Sequence, residues 1–140
     1  MKVGELFAGI GGIGLGLEAT GGFEVVWQVE NDPYAIKVLE KNWPDVRRWD
    51  DVKTFPPADG DWGVDLIAGG FPCQDISNAG KRKGLMGDRS VLFYEIIRIA
   101  EILRPRWILL ENVTGLLVRG RGMGIVLGEL ASLGYDAEWH

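Results

Sequence analysis

Cys73 is the only cysteine among the 140 residues, and the stretch around it reads Gly69-Gly70-Phe71-Pro72-Cys73-Gln74-Asp75-Ile76-Ser77. The run Val64 to Ala68 before it is apolar and short, as a buried strand would be, and the paired glycines mark where that strand gives way to a loop. A thiol so placed stands at the carboxyl end of a strand, where open α/β sheets bind ligands and a loop residue reaches them from a rigid support. Pro72 presets the backbone just before the thiol, and Gln74 and Ser77 bring polar groups beside it. A free cysteine is also a small hydrophobe that is commonly buried, so residue type alone leaves packing and nucleophilic chemistry both open. A second group at a strand end is Glu111, delivered with Asn112 and Val113 by the apolar run Arg106 to Leu110. A thiolate beside a carboxyl that can hydrogen-bond or protonate a ring nitrogen suits attack on an electron-poor heterocycle.

A different chemistry sits near the amino terminus. Lys2 to Phe7 reads as a strand running into Ala8-Gly9-Ile10-Gly11-Gly12-Ile13-Gly14, in which Gly9, Gly11 and Gly14 satisfy G-x-G-x-x-G. Strand, glycine loop and helix in that order bring backbone N–H groups to an anionic or strongly polar ligand. With 21 glycines in the chain the same spacing also arises in a plain turn. Phe23 to Glu30 reads as a second strand closing in an acid, where nucleoside-binding α/β domains accept hydrogen bonds from ribose hydroxyls. Glu30 could equally belong only to the next helix, which Asn31 or Asp32 would cap and Pro33 would open. Asp51, just past a third strand over residues 46–50, is placed to reach the adenine edge of such a nucleoside or to serve as a turn residue. Lys81-Arg82-Lys83, with Arg89 nearby, is a solvated loop or a clamp on a phosphate backbone.

The elements that must position these residues alternate along the chain. Tyr34 to Lys41 is helical and stops at Asn42-Trp43-Pro44. Ser90 caps a helix to Leu103 with Leu92, Ile96, Ile99 and Leu103 on one face, Pro105 ends it, and a last helix over residues 125–133 closes at Gly134. Tyr135 to His140 opens one more strand. This alternation predicts a single α/β domain over residues 1–140 with a doubly wound, mostly parallel sheet, its functional residues along one edge. Hydrophobic content of 46% supports a real core, and the six tryptophans read as core or loop anchors. One cysteine and one histidine give no disulfide framework and no metal site, which points to a reducing, cytoplasmic setting. No run approaches a transmembrane helix, and no signal-peptide layout is present. The net charge of -5 disfavours nucleic-acid binding over the whole surface and leaves that role to local cations.

Three blocks, Phe7-Ala8-Gly9-Ile10-Gly11-Gly12, Gly70-Phe71-Pro72-Cys73-Gln74 and Glu111-Asn112-Val113, in this order and with acids at Glu30 and Asp51, closely resemble the signatures of the cytosine-C5 DNA methyltransferases. The resemblance spans nearly the whole chain. It implies a Rossmann-like, S-adenosylmethionine-dependent methyltransferase fold, with S-adenosylhomocysteine as product. Phe7 would pack on the adenine, and Gly9, Gly11 and Gly12 would admit the methionine part. Glu30 would take the ribose hydroxyls and Asp51 the adenine amino group, with Val52 and Leu92 lining the pocket. Cys73 would add to C6 of a flipped cytosine while Glu111 engages N3. Pro72, Gln74, Ser77 and Val113 would flank the base, and Lys81, Arg82 and Lys83 would contact double-stranded DNA.

The family's later arginine block, target-recognition domain and closing segment are not found here, so the fold is expected to be incomplete at its carboxyl end. The resemblance therefore implies a prokaryotic or phage-encoded restriction-modification enzyme part needing a second polypeptide for target recognition, or self-associating through an open sheet edge, with no membrane role. An S-adenosylmethionine-binding module without turnover, a tRNA cytosine-C5 methyltransferase and an oxidoreductase fragment are the other readings. The last would leave the Cys73 and Glu111 blocks as coincidences.

Overall fold

The computed structural model describes residues 1–71, 90–112 and 121–140. Among these residues five strands and four helices run in the order β1 (Lys2–Leu6), α1 (Gly12–Ala19), β2 (Glu24–Val29), α2 (Pro33–Asn42), β3 (Arg47–Trp49), β4 (Leu66–Gly70), α3 (Ser90–Leu103), β5 (Trp107–Glu111) and α4 (Arg121–Ser132), with a short 3-10 turn at Val52–Thr54. The strands form one sheet in the order β3-β2-β1-β4-β5, and every neighbouring pair is parallel. The doubly wound parallel arrangement expected from the alternation of elements is the one observed.

The chain forms two compact units, one of residues 1–70 with 102–111 and the other of residues 71–101 with 112–140. The first holds the whole sheet. A parallel sheet covered on both faces needs near-continuous apolar strands, and β1 and β4 supply them: all of β1 after Lys2, and all of β4 before Gly70, is buried. Val3, Val25, Leu66 and Ala68 make one cluster, against which Ile13 and Leu17 of α1 pack. Elsewhere in this unit the indole of Trp27 lies on the backbone of Gly4, so close that a Cβ there would sit 2.0 Å from the ring. Its Nε1–H donates to the Trp62 carbonyl at 2.9 Å, Phe55 packs 4.7 Å from it, and Arg47 caps the Trp62 ring at 3.9 Å. This aromatic group fastens the segment between β3 and β4 to the rest of the unit. In the second unit Phe93, Ile96, Ile97, Ile99 and Ala100 are buried along α3, a wider face than the four positions expected.

Four expectations change. The last helix begins at Arg121, not residue 125, because the glycines there cost a helix only about 1 kcal/mol each and Gly122 and Val126 are buried. Tyr135 to His140 is not a strand. The Tyr135 N–H instead bonds to the Leu130 carbonyl at 3.0 Å, and the Gly134 N–H to that of Ala131 at 2.9 Å, the paired bonds of a Schellman close with Gly134 left-handed. Ser90 lies inside α3, so its capping position falls outside the described residues. Trp107, on the edge strand, and Trp139 are exposed and anchor no core. Among the described residues no helix is long and apolar enough to cross a membrane.

Two glycine substitutions should move stability in opposite directions. Gly4→Ala forces the Trp27 indole out of its seat and should cost about 1–3 kcal/mol or more. Gly128→Ala, on an exposed face of α4 with open space around it, should gain about 0.5–1 kcal/mol. Urea unfolding midpoints of the two variants check both signs.

Candidate active site

The order of strands reverses between β1 and β4, and at such a switch point open sheets bind ligands beyond their carboxyl ends. Phe7, Glu30, Gly70 and Glu111 are, respectively, the residue after β1, the residue after β2, the last of β4 and the last of β5. Asp51 follows β3 by two residues. One edge of the sheet thus carries every candidate of the first unit.

The loop from Phe7 to Gly11 is tightly stitched. Phe7 has φ 54°, a left-handed conformation unusual for a bulky residue and typical of sites where structure over-determines strain. The Ala8 N–H donates to the Val29 carbonyl at 3.1 Å, and the Gly9 N–H to Glu30 Oε2 at 2.6 Å. Glu30 Oε1 accepts from the N–H groups of Asn31 and Asp32 at 2.9 and 2.8 Å. Among the described residues three of about four acceptor positions of this carboxylate are taken, which leaves one on Oε2. Glu30 is therefore no helix cap. Asp32 is, accepting from Ala35 N–H at 2.7 Å with Pro33 opening α2.

The predicted glycines divide into two kinds. A Cβ on Gly9 or Gly12 would meet nothing within 4 Å, which leaves room for a ligand against the backbone. A Cβ on Gly11 would strike the Trp43 ring at 2.5 Å and Leu39 at 3.0 Å. Gly11 is buried and serves packing. Trp43 is held in turn by Glu18, whose Oε2 takes its indole N–H at 2.9 Å.

Gly14 leads to a residue that the sequence reading missed. A Cβ there would lie 2.7–2.8 Å from the carboxylate of Glu5, which is only 2% exposed in the central strand. Glu5 Oε1 accepts the Gly14 N–H at 2.7 Å, and Oε2 accepts the Gln28 side-chain N–H at 2.9 Å. Burial raises the Glu5 pKa above its ordinary value of 4.5; the Gln28 and Gly14 hydrogen bonds oppose the rise and the charge of Glu18 adds to it. An acid inside an apolar strand of a parallel sheet, followed nine positions later by a glycine in the next helix, is the signal that could have found it.

Asp51 is exposed and accepts the Lys53 N–H at 2.9 Å, so it does act as a turn residue, capping Val52–Thr54, while Val52 beneath it is buried. The Glu30 N–H donates to the Trp49 carbonyl at 3.0 Å, which sets the ends of β2 and β3 side by side. Glu111 is exposed and pairs with Gly70 across the ladder. A Cβ on Gly70 would lie 2.8 Å from Glu111 Oε2, and one on Gly69 would lie 2.5 Å from the Leu6 carbonyl oxygen. Gly69 is thus demanded by the backbone of β1, whereas at Gly70 the exposed Glu111 side chain can move aside.

In the second unit the Asn112 amide donates to the Phe71 carbonyl at 2.9 Å, and the Phe71 ring packs on Phe93 at 5.2 Å. Leu92 is half-buried on α3. Pro72, Cys73, Gln74, Ser77, Lys81, Arg82, Lys83 and Val113 lie outside the described residues.

Comparison with known proteins agrees with this layout. The profile of the C-5 cytosine-specific DNA methylases matches residues 1–140. Type II methyltransferase M2.BsuMI of Bacillus subtilis is 43% identical over 141 residues, which covers 96% of this chain and 35% of the relative. Type II methyltransferase M.Sau3AI of Staphylococcus aureus is 37% identical over 156 residues, covering 99% and 38%. Among solved structures, a putative DNA modification methyltransferase of an E. coli prophage superposes with TM-score 0.74 at 29% identity, covering 94% of this chain and 38% of that one. DNMT2 of Spodoptera frugiperda gives 0.72 at 26%, covering 94% and 41%. The chain spans little more than a third of the length of these curated relatives.

The buried Glu5 sets a pH dependence. A carboxyl whose folded pKa is raised contributes stability below its unfolded value and loses it as pH rises through the folded value. Glu5→Gln has no such loss. Its stability relative to the parent should therefore be lowest below about pH 4.5 and climb as pH rises, in urea titrations run from acid to neutral pH.

Proposed function

This chain belongs to the C-5 cytosine-specific DNA methylases, and from that membership we propose that it is the cofactor-binding and nucleophile-bearing part of an enzyme that methylates C5 of cytosine in double-stranded DNA. The observation that carries the reading is the pairing of Glu111 with Gly70, the residue from which the chain departs toward Cys73. Glu111 closes β5, and in the sequence Cys73 follows three residues after Gly70, the ladder partner of Glu111.

The first unit's edge fits an adenosine-containing cofactor: open backbone at Gly9 and Gly12, a free acceptor position on Glu30 and an exposed acid at Asp51. S-adenosylmethionine would supply an activated methyl group. By the family's pattern Phe7 would pack on the adenine, Glu30 would take the ribose hydroxyls and Asp51 the adenine amino group, and Val52 and Leu92 would give apolar lining. Cys73 reacts as its thiolate, of which an unperturbed thiol near pKa 8.5 offers only a few per cent at neutral pH, so it needs activation by its surroundings. It adds to C6 of the cytosine, forming an S–C6 bond, while the electron pair moves to make C5 nucleophilic. Glu111 hydrogen-bonds or protonates N3, drawing charge from the ring. After methylation the C5 proton leaves to a base, the C5–C6 double bond returns and the thiolate departs. The cytosine must leave the helical stack for these groups to reach it. Pro72, Gln74, Ser77 and Val113 frame it, and Lys81, Arg82 and Lys83 hold the phosphates. Target recognition comes from sequence outside residues 1–140, on the same or a second polypeptide, and the reducing cytoplasm keeps the thiol free.

The test is an intact-mass search for a covalent adduct with 5-fluorocytosine-containing DNA and S-adenosylmethionine, with the chain alone and with the carboxyl-terminal part of a type II relative added. The fluorine prevents the final elimination, so the adduct accumulates. It should vanish in Cys73→Ser and form about 10²–10⁴-fold more slowly in Glu111→Gln. A sample that binds S-adenosylhomocysteine but forms no adduct under either condition would leave a cofactor-binding module without turnover.

A further inference from the structure

α1 starts in an unusual way. Its N-cap is Gly11, which offers no side chain, and no acid stands in its first turn. The opening N–H groups of a helix need acceptors from somewhere. Gly11 N–H uses the Ala8 carbonyl at 2.9 Å, and Gly14 N–H uses Glu5 Oε1 at 2.7 Å. The Gly12 and Ile13 N–H groups between them have no acceptor among the described residues. They open α1 next to the open backbone of Gly9 and Gly12.

The acceptor for Gly14 is thus supplied by the central strand, from inside the fold. Glu5 is held in turn by Gln28 on β2, the strand whose end carries Glu30. Both side chains are completely or nearly buried, and Gln28 Oε1 is left without a hydrogen-bond partner among the described residues. A core that needed only stability would do better with an apolar pair at these positions, since buried ionisable groups are costly unless they hold something in place. What this one holds is the first turn of α1.

We infer that Glu5 is a positioning residue for cofactor binding: held by Gln28, it fixes the first turn of α1 through Gly14 so that the Gly12 and Ile13 N–H groups stay directed to the ligand. The inference rests on the cofactor reading given above. It assigns to Glu5 a geometric role that an uncharged acceptor of the same shape can fill. In Glu5→Gln the new amide oxygen still accepts from Gly14, and its NH2 can donate to Gln28 Oε1 once that amide turns over. Glu5→Met keeps the length and removes the acceptor.

The experiment is calorimetric titration of S-adenosylhomocysteine into the protein and its variants, with thermal unfolding and amide exchange of the segment 7–15 measured on the same samples. Glu5→Met should bind at least tenfold more weakly and exchange faster at Gly14, with a melting temperature lowered by the orphaned Gln28 amide, a loss that Glu5→Met/Gln28→Leu recovers without recovering affinity. Glu5→Gln should restore affinity to within threefold. A purely structural residue would instead move melting temperature and affinity together. Glu5→Met binding within twofold of the parent overturns the inference, as does an equal loss in both variants. Should the orphaned Gln28 amide unfold Glu5→Met, the double variant Glu5→Met/Gln28→Leu removes it and is read the same way; if that too fails to fold, Glu5 is structural and the inference falls. Absence of binding by the parent protein refutes the cofactor reading itself, and is distinguishable from each of these.

Discussion

The central strand has no room beside it, and much of the first unit follows from that constraint. β1 lies between β2 and β4, and at each flank a neighbour occupies the space a side chain would need. Trp27 lies on Gly4, the Leu6 carbonyl lies against Gly69, and the Glu5 carboxylate lies under Gly14. Interiors are packed at crystal-like density, so such contacts admit few alternatives. Strand β1 is thereby fixed in register, and its end at Leu6 delivers the Phe7 loop to one position at the sheet edge. A ligand site built on a loop needs a rigid support of this kind.

Two carboxylates on either side of that loop show how burial sorts chemistry. Glu5 is sealed beneath it, gives each oxygen one hydrogen bond and carries a raised pKa because desolvation outweighs those bonds. Glu30 stands at its rim, half-buried, accepts three backbone N–H groups and keeps one position for something else. The same functional group thus acts once as an internal strut and once as a surface that can meet a hydroxyl. The distinction is set by position in the sheet: one is inside the central strand and the other just past the end of its neighbour.

Much of this was readable in the sequence, for reasons that differ from residue to residue. Apolar runs bounded by glycine or proline placed β4 and β5, and β4 is buried along nearly its whole length, as a strand covered on both faces must be. Asp32 and Pro33 announced α2 through cap chemistry that is local. The split among Gly9, Gly11, Gly12 and Gly14 was not readable, since what separates an open glycine from a packed one is the arrival of Trp43 or Glu5 from elsewhere in the chain. Glu5 and Gln28 escaped for the same reason: each looks like a solvated polar residue until β1 is known to be the central strand. The terminal stretch misled because its apolar residues suggested a strand, whereas the Tyr135 N–H was already committed to closing α4.

The edge of the sheet also shows how the work is divided between its two halves. Strands β1, β2 and β3 run out into the glycine loop, Glu30 and Asp51, backbone N–H groups and carboxylates whose chemistry is hydrogen bonding. Strands β4 and β5 end in Gly70 and Glu111, which pair across the ladder. Between the two halves runs the reversal of strand order, the point at which an open parallel sheet offers a ligand site. Under the function proposed above, a cofactor on the first half would stand beside a base on the second. Transfer between two bound groups gains mainly from holding them in one geometry. In this sheet the geometry is inherited from the parallel ladder linking β1 to β4, where Leu6 pairs with Gly69 one residue before the site begins.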